Sequence, residues 1–154
     1  MRIAEFLRRD NLILSFQADD KDAVLGELCA LLARNGDVTD AGAVLDAVMK
    51  REMLGSTGIG DEVAIPHAKT PHARSLTGAL GLSRGGIEYF AMDGKPVRLV
   101  FMLVAEENST GTHLKALARV SRLLRSPGFR QRIESATSED EMYSMIAEED
   151  VKIG

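Results

Sequence analysis

The chain has 154 residues, 45% of them hydrophobic and 27% charged, and 23 acidic against 19 basic residues give a net charge of −4. That size buries roughly two thirds of the unfolded surface in one domain, and the acidic balance argues against a nucleic-acid partner. A single cysteine excludes an internal disulfide and fits a reducing compartment, and the chain has neither an apolar run near the roughly 20 residues of a membrane span nor a signal-peptide core in MRIAEFLRRDNLIL.

A cytoplasmic protein without membrane insertion is therefore expected, folded as one domain over residues 1–154. Residues 4–9 suit one helical turn, and residues 11–17, NLILSFQ, alternate as a strand. Asp19 or Asp20 offers an N-cap to a helix whose apolar positions are Val24, Leu25, Leu28, Leu31 and Leu32, and Asn35-Gly36 supplies a left-handed stop. Cys29 falls beside that stripe and reads as a small buried hydrophobe. Thr39 or Asp40 caps a second helix with the face Val44, Leu45, Val48 and Met49, ending near Leu54-Gly55. Arg51 and Glu52 lie in its last turn, where a cation complements the helix dipole.

A glycine-punctuated stretch follows, with Gly55, Gly58 and Gly60, then a short strand at Val63–Ile65 that stops at Pro66-His67. Leu76–Ser83 reads as a strand, Gly85-Gly86 as a turn, and Ile87–Phe90 as a returning hairpin strand. Asp93-Gly94 is another turn. Val97–Val104, VRLVFMLV, is almost continuously apolar, as in a strand buried on both faces. After a polar loop, Ser109 or Thr112 starts a helix with Leu114, Leu117, Ser121 and Leu124 along one side. Ser126-Pro127-Gly128 breaks it, a short helix fits around Phe129–Ser135, and Ser138 with Glu141 makes a capping-box pattern before Met142, Met145 and Ile146. Helices mixed with strands around one doubly buried strand predict an α/β fold, a three-layer α/β/α domain.

The chemistry centres on His67. A histidine just after a strand-like segment and a proline is held at an edge, and upstream glycines let backbone approach a ligand closely. With an unperturbed pKa of about 6.5, its ring keeps a neutral nucleophilic nitrogen at cell pH. Arg51 supplies a planar fork of donors for phosphoryl oxygens. His113, at the start of a helix, can meet an anion with its ring and with the helix N-terminus. Two histidines and an arginine at loop edges suit phosphoryl transfer, in which positioning and charge stabilisation dominate. Neither metal nor cofactor is required. His72, in a polar loop after Pro71, reads as structural or exposed. GSTGIG lacks the Lys-Ser/Thr ending of a P-loop and does not fit GxGxxG; no HExxH or G-x-S-x-G occurs, so zinc and serine-hydrolase chemistry are disfavoured.

Arg51 to Lys69, RE-x-x-GSTGIG-x-x-x-AIPHAK, resembles the active-site motif of phosphotransferase-system enzyme IIA domains of the fructose/mannitol class, and within it the nitrogen-regulatory IIA proteins. The likeness runs over nearly the whole chain: Asp20-Lys21, the Asp93-Gly94 turn, the apolar strand at 97–104 and THLKALARVSRLL at 112–124 match in place. The resemblance implies a mixed central sheet flanked by helices, His67 as the residue phosphorylated on Nε2, and Arg51 and His113 as its supporting pair. It implies an HPr-type phosphocarrier as donor. It also implies either regulatory target proteins or, for a sugar-specific component, a IIB cysteine as the next recipient. With no IIB or IIC sequence attached, the regulatory role is expected. A non-catalytic protein-binding module is the alternative from another class. Two departures stand out: Glu62 where many members have glycine, and Ala105 where proline is frequent.

Overall fold

The computed structural model describes every residue from Met1 to Gly154. A 3₁₀ turn at Ile3–Glu5 leads into strand β1 (Leu7–Ile13). Helices α1 (Lys21–Arg34) and α2 (Ala41–Met53) follow, then three short strands, β2 (Gly58–Gly60), β3 (Val63–Ala64) and β4 (His67–Lys69). Strands β5 (Thr77–Ile87) and β6 (Val97–Ala105) precede helices α3 (Thr110–Leu124), α4 (Pro127–Ile133) and α5 (Glu139–Lys152).

The strands form one mixed sheet in the order β1-β5-β6-β3-β2, with β4 also paired to β6. β1 runs parallel to β5, β5 antiparallel to β6, and β3 and β4 both run parallel to β6. Strand β6 is the axis of the molecule. Its Leu99, Phe101 and Leu103 enter one apolar core, and Val100, Met102 and Val104 enter the other. The first core is closed by Val120, Phe129, Ile133 and Met142 from α3, α4 and α5. The second is closed by Leu25, Leu28, Val44 and Val48 from α1 and α2. The expected three-layer α/β/α arrangement with a mixed sheet is present, and burial on both faces explains why β6 shows no polar alternation.

The helix ends follow their side-chain chemistry. Asp20 accepts from the Ala23 N–H at 2.8 Å, Asp40 from Ala43 at 3.0 Å and Ser138 from Glu141 at 3.1 Å, each satisfying an orphan donor of a first turn. Gly36, at φ +80°, continues the chain past the C-terminus of α1. Cys29 is buried among the apolar residues of α1, and burial pushes its thiol up to about 12.

Three local expectations are corrected. The first strand covers Leu7–Ile13 rather than residues 11–17. It is an edge strand, and its exposed Arg8, Arg9 and Asp10 hide it from an alternation test. Gly85-Gly86 is not a hairpin turn but lies inside β5, in an irregularity between the pairs Leu82↔Leu99 and Ile87↔Val97. Gly86, at φ +78°, supplies the left-handed residue that a bulge there needs, and the returning strand is β6, not Ile87–Phe90. In α3 the buried side carries His113, Ala116, Val120 and Leu123, whereas Leu114 is 60% exposed.

Candidate active site

Strands β3 and β4 are two segments of one interrupted strand along the same edge of β6. Val63 and Ala64 lie opposite Leu99 and Val100, and His67 lies opposite Leu103. The break falls at Ile65-Pro66. The Ile65 N–H leaves the ladder to reach the Thr57 carbonyl at 3.0 Å, and Pro66, having no N–H to orphan, gives only its carbonyl to Leu103 at 2.9 Å. The chain re-enters the sheet at His67, whose Nδ1 donates to the Ile65 carbonyl at 2.8 Å. A carbonyl only accepts, so this bond fixes the proton on Nδ1 and leaves the lone pair on Nε2.

Each outer layer brings one partner to this ring. Arg51 comes from the last turn of α2, and its Nη1 donates to the Gly55 carbonyl at 3.0 Å. Gly55 itself sits at φ +147°. His113 comes from the first turn of α3, with its ring centroid 5.5 Å from that of His67 and the planes inclined by 52°. Its backbone N–H is already given to the Ser109 carbonyl at 2.9 Å, so only the ring of this residue is available to a ligand. Lys69, on β4, reaches Thr110 Oγ1 at 3.0 Å and adds an ammonium at the mouth of α3. Ala47, Arg51, His67, Lys69, His113 and Leu117 line an open depression of about 340 Å³.

Burial lowers the pKa of His67, the Arg51 charge lowers it further, and the Ile65 hydrogen bond and the Glu52 carboxylate oppose them. His113 is pushed down to about 4, first by burial and then by His67 and Lys69. Its Nδ1 is buried without a hydrogen-bond partner. Both rings are therefore neutral near pH 7. The arrangement offers a neutral imidazole nitrogen, a second neutral ring, a guanidinium and an ammonium around one depression, which suits an incoming multiply charged group.

Of the residues picked from sequence, His67, Arg51 and His113 come together, and His72 does not join them. His72 instead ties its loop to the start of α2, accepting the Thr39 N–H on its carbonyl at 2.8 Å. Periodicity does not mark four further residues near the site: Lys21, Glu52, Thr57 and Tyr89. The Glu52 carboxylate is buried in the last turn of α2, beside Lys21 Nζ at 2.9 Å, and accepts from the N–H and hydroxyl of Thr57. Tyr89 OH stands 3.0 Å from the Thr57 hydroxyl, and Lys21 Nζ lies 4.4 Å from the centroid of the Tyr89 ring. One signal was available: Glu52 is an anion at a helix C-terminus and Lys21 a cation at a helix N-terminus. Both are unfavourable against the helix dipole and both call for a tertiary partner.

Residues 5–149 match the model of the family described as phosphoenolpyruvate-dependent sugar phosphotransferase system, EIIA 2, and the chain belongs to that family. Among its relatives, it is 38% identical over 150 residues to the fructose-specific EIIABC component of Bacillus subtilis (strain 168). That match covers 97% of this chain but 24% of the longer protein, so the chain spans about a quarter of that relative's length. It is 34% identical over 147 residues to the nitrogen regulatory protein of Bradyrhizobium diazoefficiens, covering 96% of this chain and 95% of that one. Its fold superposes on the crystal structure of nitrogen regulatory protein IIA-Ntr from Neisseria meningitidis with a TM-score of 0.86 and 32% identity, over 94% of this chain and 98% of that one. No helix is long and apolar enough to cross a membrane.

Proposed function

We propose that this phosphotransferase-system IIA chain carries a phosphoryl group on His67, received from the phosphohistidine of an HPr-type carrier. The P–N bond of the carrier breaks as phosphorus bonds to His67 Nε2, and the carrier leaves with its imidazole lone pair restored. The observation that carries this reading is the 2.8 Å bond from His67 Nδ1 to the Ile65 carbonyl, which holds the proton on the far side of the ring from the attacking nitrogen. Arg51 then binds equatorial oxygens of the transferring group, and His113, neutral and 5.5 Å away ring to ring, donates a hydrogen bond to them. In this reading His67 is the catalytic nucleophile, Arg51 and His113 stabilise charge, and the transfer uses no metal or cofactor.

The role assigned is that of a nitrogen-regulatory-type IIA, whose phosphorylation state controls target proteins. The likeness to nitrogen regulatory proteins over nearly their full length supports it. An added phosphoryl group brings close to two negative charges and strong acceptors, enough to change which surface docks. The 38% identity to a fructose-specific component supports a second reading, in which the phosphoryl group passes on to a IIB cysteine. A cytoplasmic location fits either role.

Incubation with a phosphorylated HPr-type carrier tests the proposal. The protein takes up one phosphoryl group, and His67→Gln takes up none. Labelling that persists in the folded variant overturns the assignment. Adding a fructose-type IIB domain separates the two roles: discharge of the label onto it supports transport, and retention of the label supports regulation. Failure of the wild type to accept label favours a protein-binding module with no transfer chemistry.

A further inference from the structure

We propose that Glu52 is the positioning residue of this site: its buried carboxylate, held by Lys21, ties down the backbone that aims His67, and its own backbone carbonyl holds the glycine that aims Arg51. The inference rests on the reading of His67 as phosphoryl acceptor.

The bonds run outward from Glu52 in two branches. In the first, its carboxylate accepts the Thr57 N–H at 3.2 Å and the Thr57 hydroxyl. The carbonyl of the same Thr57 accepts the Ile65 N–H at 3.0 Å, and the Ile65 carbonyl accepts Nδ1–H of His67 at 2.8 Å. In the second, the Glu52 backbone carbonyl accepts the Gly55 N–H at 3.1 Å, and the Gly55 carbonyl accepts Arg51 Nη1 at 3.0 Å. The guanidinium is thus anchored on a carbonyl of the glycine-rich segment, His67 is anchored through Ile65 on another residue of it, Thr57, and both branches start at Glu52.

The segment needs such a pin. It contains Gly55 at φ +147° and Gly60 at φ +91°, conformations that glycine reaches freely in the unfolded chain as well. Outside the sheet ladders, Tyr89 ties it as well: the Ser56 hydroxyl reaches the Tyr89 carbonyl at 3.3 Å, and the Tyr89 hydroxyl meets that of Thr57. Thr57 gives its proton to Glu52, so Tyr89 donates to the Thr57 oxygen from 3.0 Å, and the network has no unmatched hydroxyl. A lone carboxylate with a side chain 4% exposed would be costly. Lys21, 13% exposed and 2.9 Å away, compensates that charge, so that the pair does not repel an arriving phosphoryl group. The same negative charge opposes the effect of Arg51 on the basicity of His67.

Glu52→Gln and Thr57→Val test this, the second removing the hydroxyl's bonds to Glu52 and Tyr89 while keeping the backbone of residue 57. Two readouts are taken on each folded variant. The first is the protonation of His67 by nitrogen-15 NMR, which needs no carrier. The second is the single-turnover rate of phosphoryl uptake as a function of carrier concentration. In the wild type His67 is one tautomer, protonated on Nδ1. In the variants both tautomers are populated, and the limiting rate falls about 10- to 100-fold, as expected for a small misplacement of reacting groups. The half-saturating carrier concentration stays within about twofold, because no docking surface is altered. A single wild-type-like tautomer with an unchanged limiting rate in Thr57→Val overturns the proposal, whether or not Glu52→Gln folds. If the wild type accepts no phosphoryl group, the reading of His67 fails, and the tautomer comparison alone decides the role of Glu52.

Discussion

His113 is the residue at which the demands of folding and of chemistry are most opposed. It is 5% exposed and its pKa is pushed down to about 4 by burial and by its neighbours His67 and Lys69. The unfolded chain titrates near 6.5. Its contribution to stability is therefore intact above pH 6.5 and declines as pH falls through the window from about 6.5 to about 4, because the unfolded state binds the proton first. The full gap corresponds to up to about 3 kcal/mol. Denaturant titrations of the wild type and His113→Gln across this window should show the steeper acid loss in the wild type; equal slopes would mean that the ring is solvated in the folded protein. His67 shifts in the same direction, so both rings keep their lone pairs at neutral pH. What sequence shows at this scale is uneven. A histidine after Ala-Ile-Pro stands out by its setting. Glu52 and Thr57 do not, since their value lies in bonds to one another and to Lys21 on a different helix.

At the scale of elements, the informative one is the hairpin of β2 and β3. Gly60 and Val63 pair directly, leaving Asp61 and Glu62 as a two-residue connection with φ +56° and +63°. Two positive φ values are the demand of a type I′ turn, for which Asp-Gly is a preferred pair. The departure at Glu62 thus sits where glycine would be unstrained. A left-handed conformation costs a non-glycine residue about 1–2 kcal/mol, while glycine adds unfolded-state freedom of about 0.5–1 kcal/mol. The pairing of Glu62 with Arg98, 3.8 Å apart and exposed, adds little. Glu62→Gly should therefore stabilise the protein by up to about 1 kcal/mol, raising Tm by a few degrees in calorimetry; a lower Tm would show that the Arg98 contact outweighs the strain. This hairpin is invisible to alternation because its strands are only two and three residues long. Helix ends, by contrast, were legible from Asp20, Asp40 and Ser138, whose short side chains act on their own helices. Strand β1 and the passage of β5 through Gly85-Gly86 were not, because an edge position and a bulge are set by neighbouring strands.

Across the whole molecule, the site is a junction of layers. The sheet supplies His67 at a break along β6, the layer of α1 and α2 supplies Arg51 with its Lys21–Glu52 anchor, and the layer of α3 to α5 supplies His113. The apolar run that became β6 announced this sandwich in the sequence, since only a strand covered on both sides reads as VRLVFMLV. Which helix ends would meet above it was not readable from spacing, and entered through the family resemblance. The layered design places His67 on a short strand hydrogen-bonded to β6, flanked by a guanidinium and a second ring, with one proton position fixed by backbone. The most direct test of that account is phosphorus–nitrogen correlated NMR on the protein after reaction with a phosphorylated HPr-type carrier. Phosphorus bonded to Nε2 of His67, with Nδ1 still protonated, is the predicted result; phosphorus on Nδ1 of His67, or on His72 or His113, would contradict it.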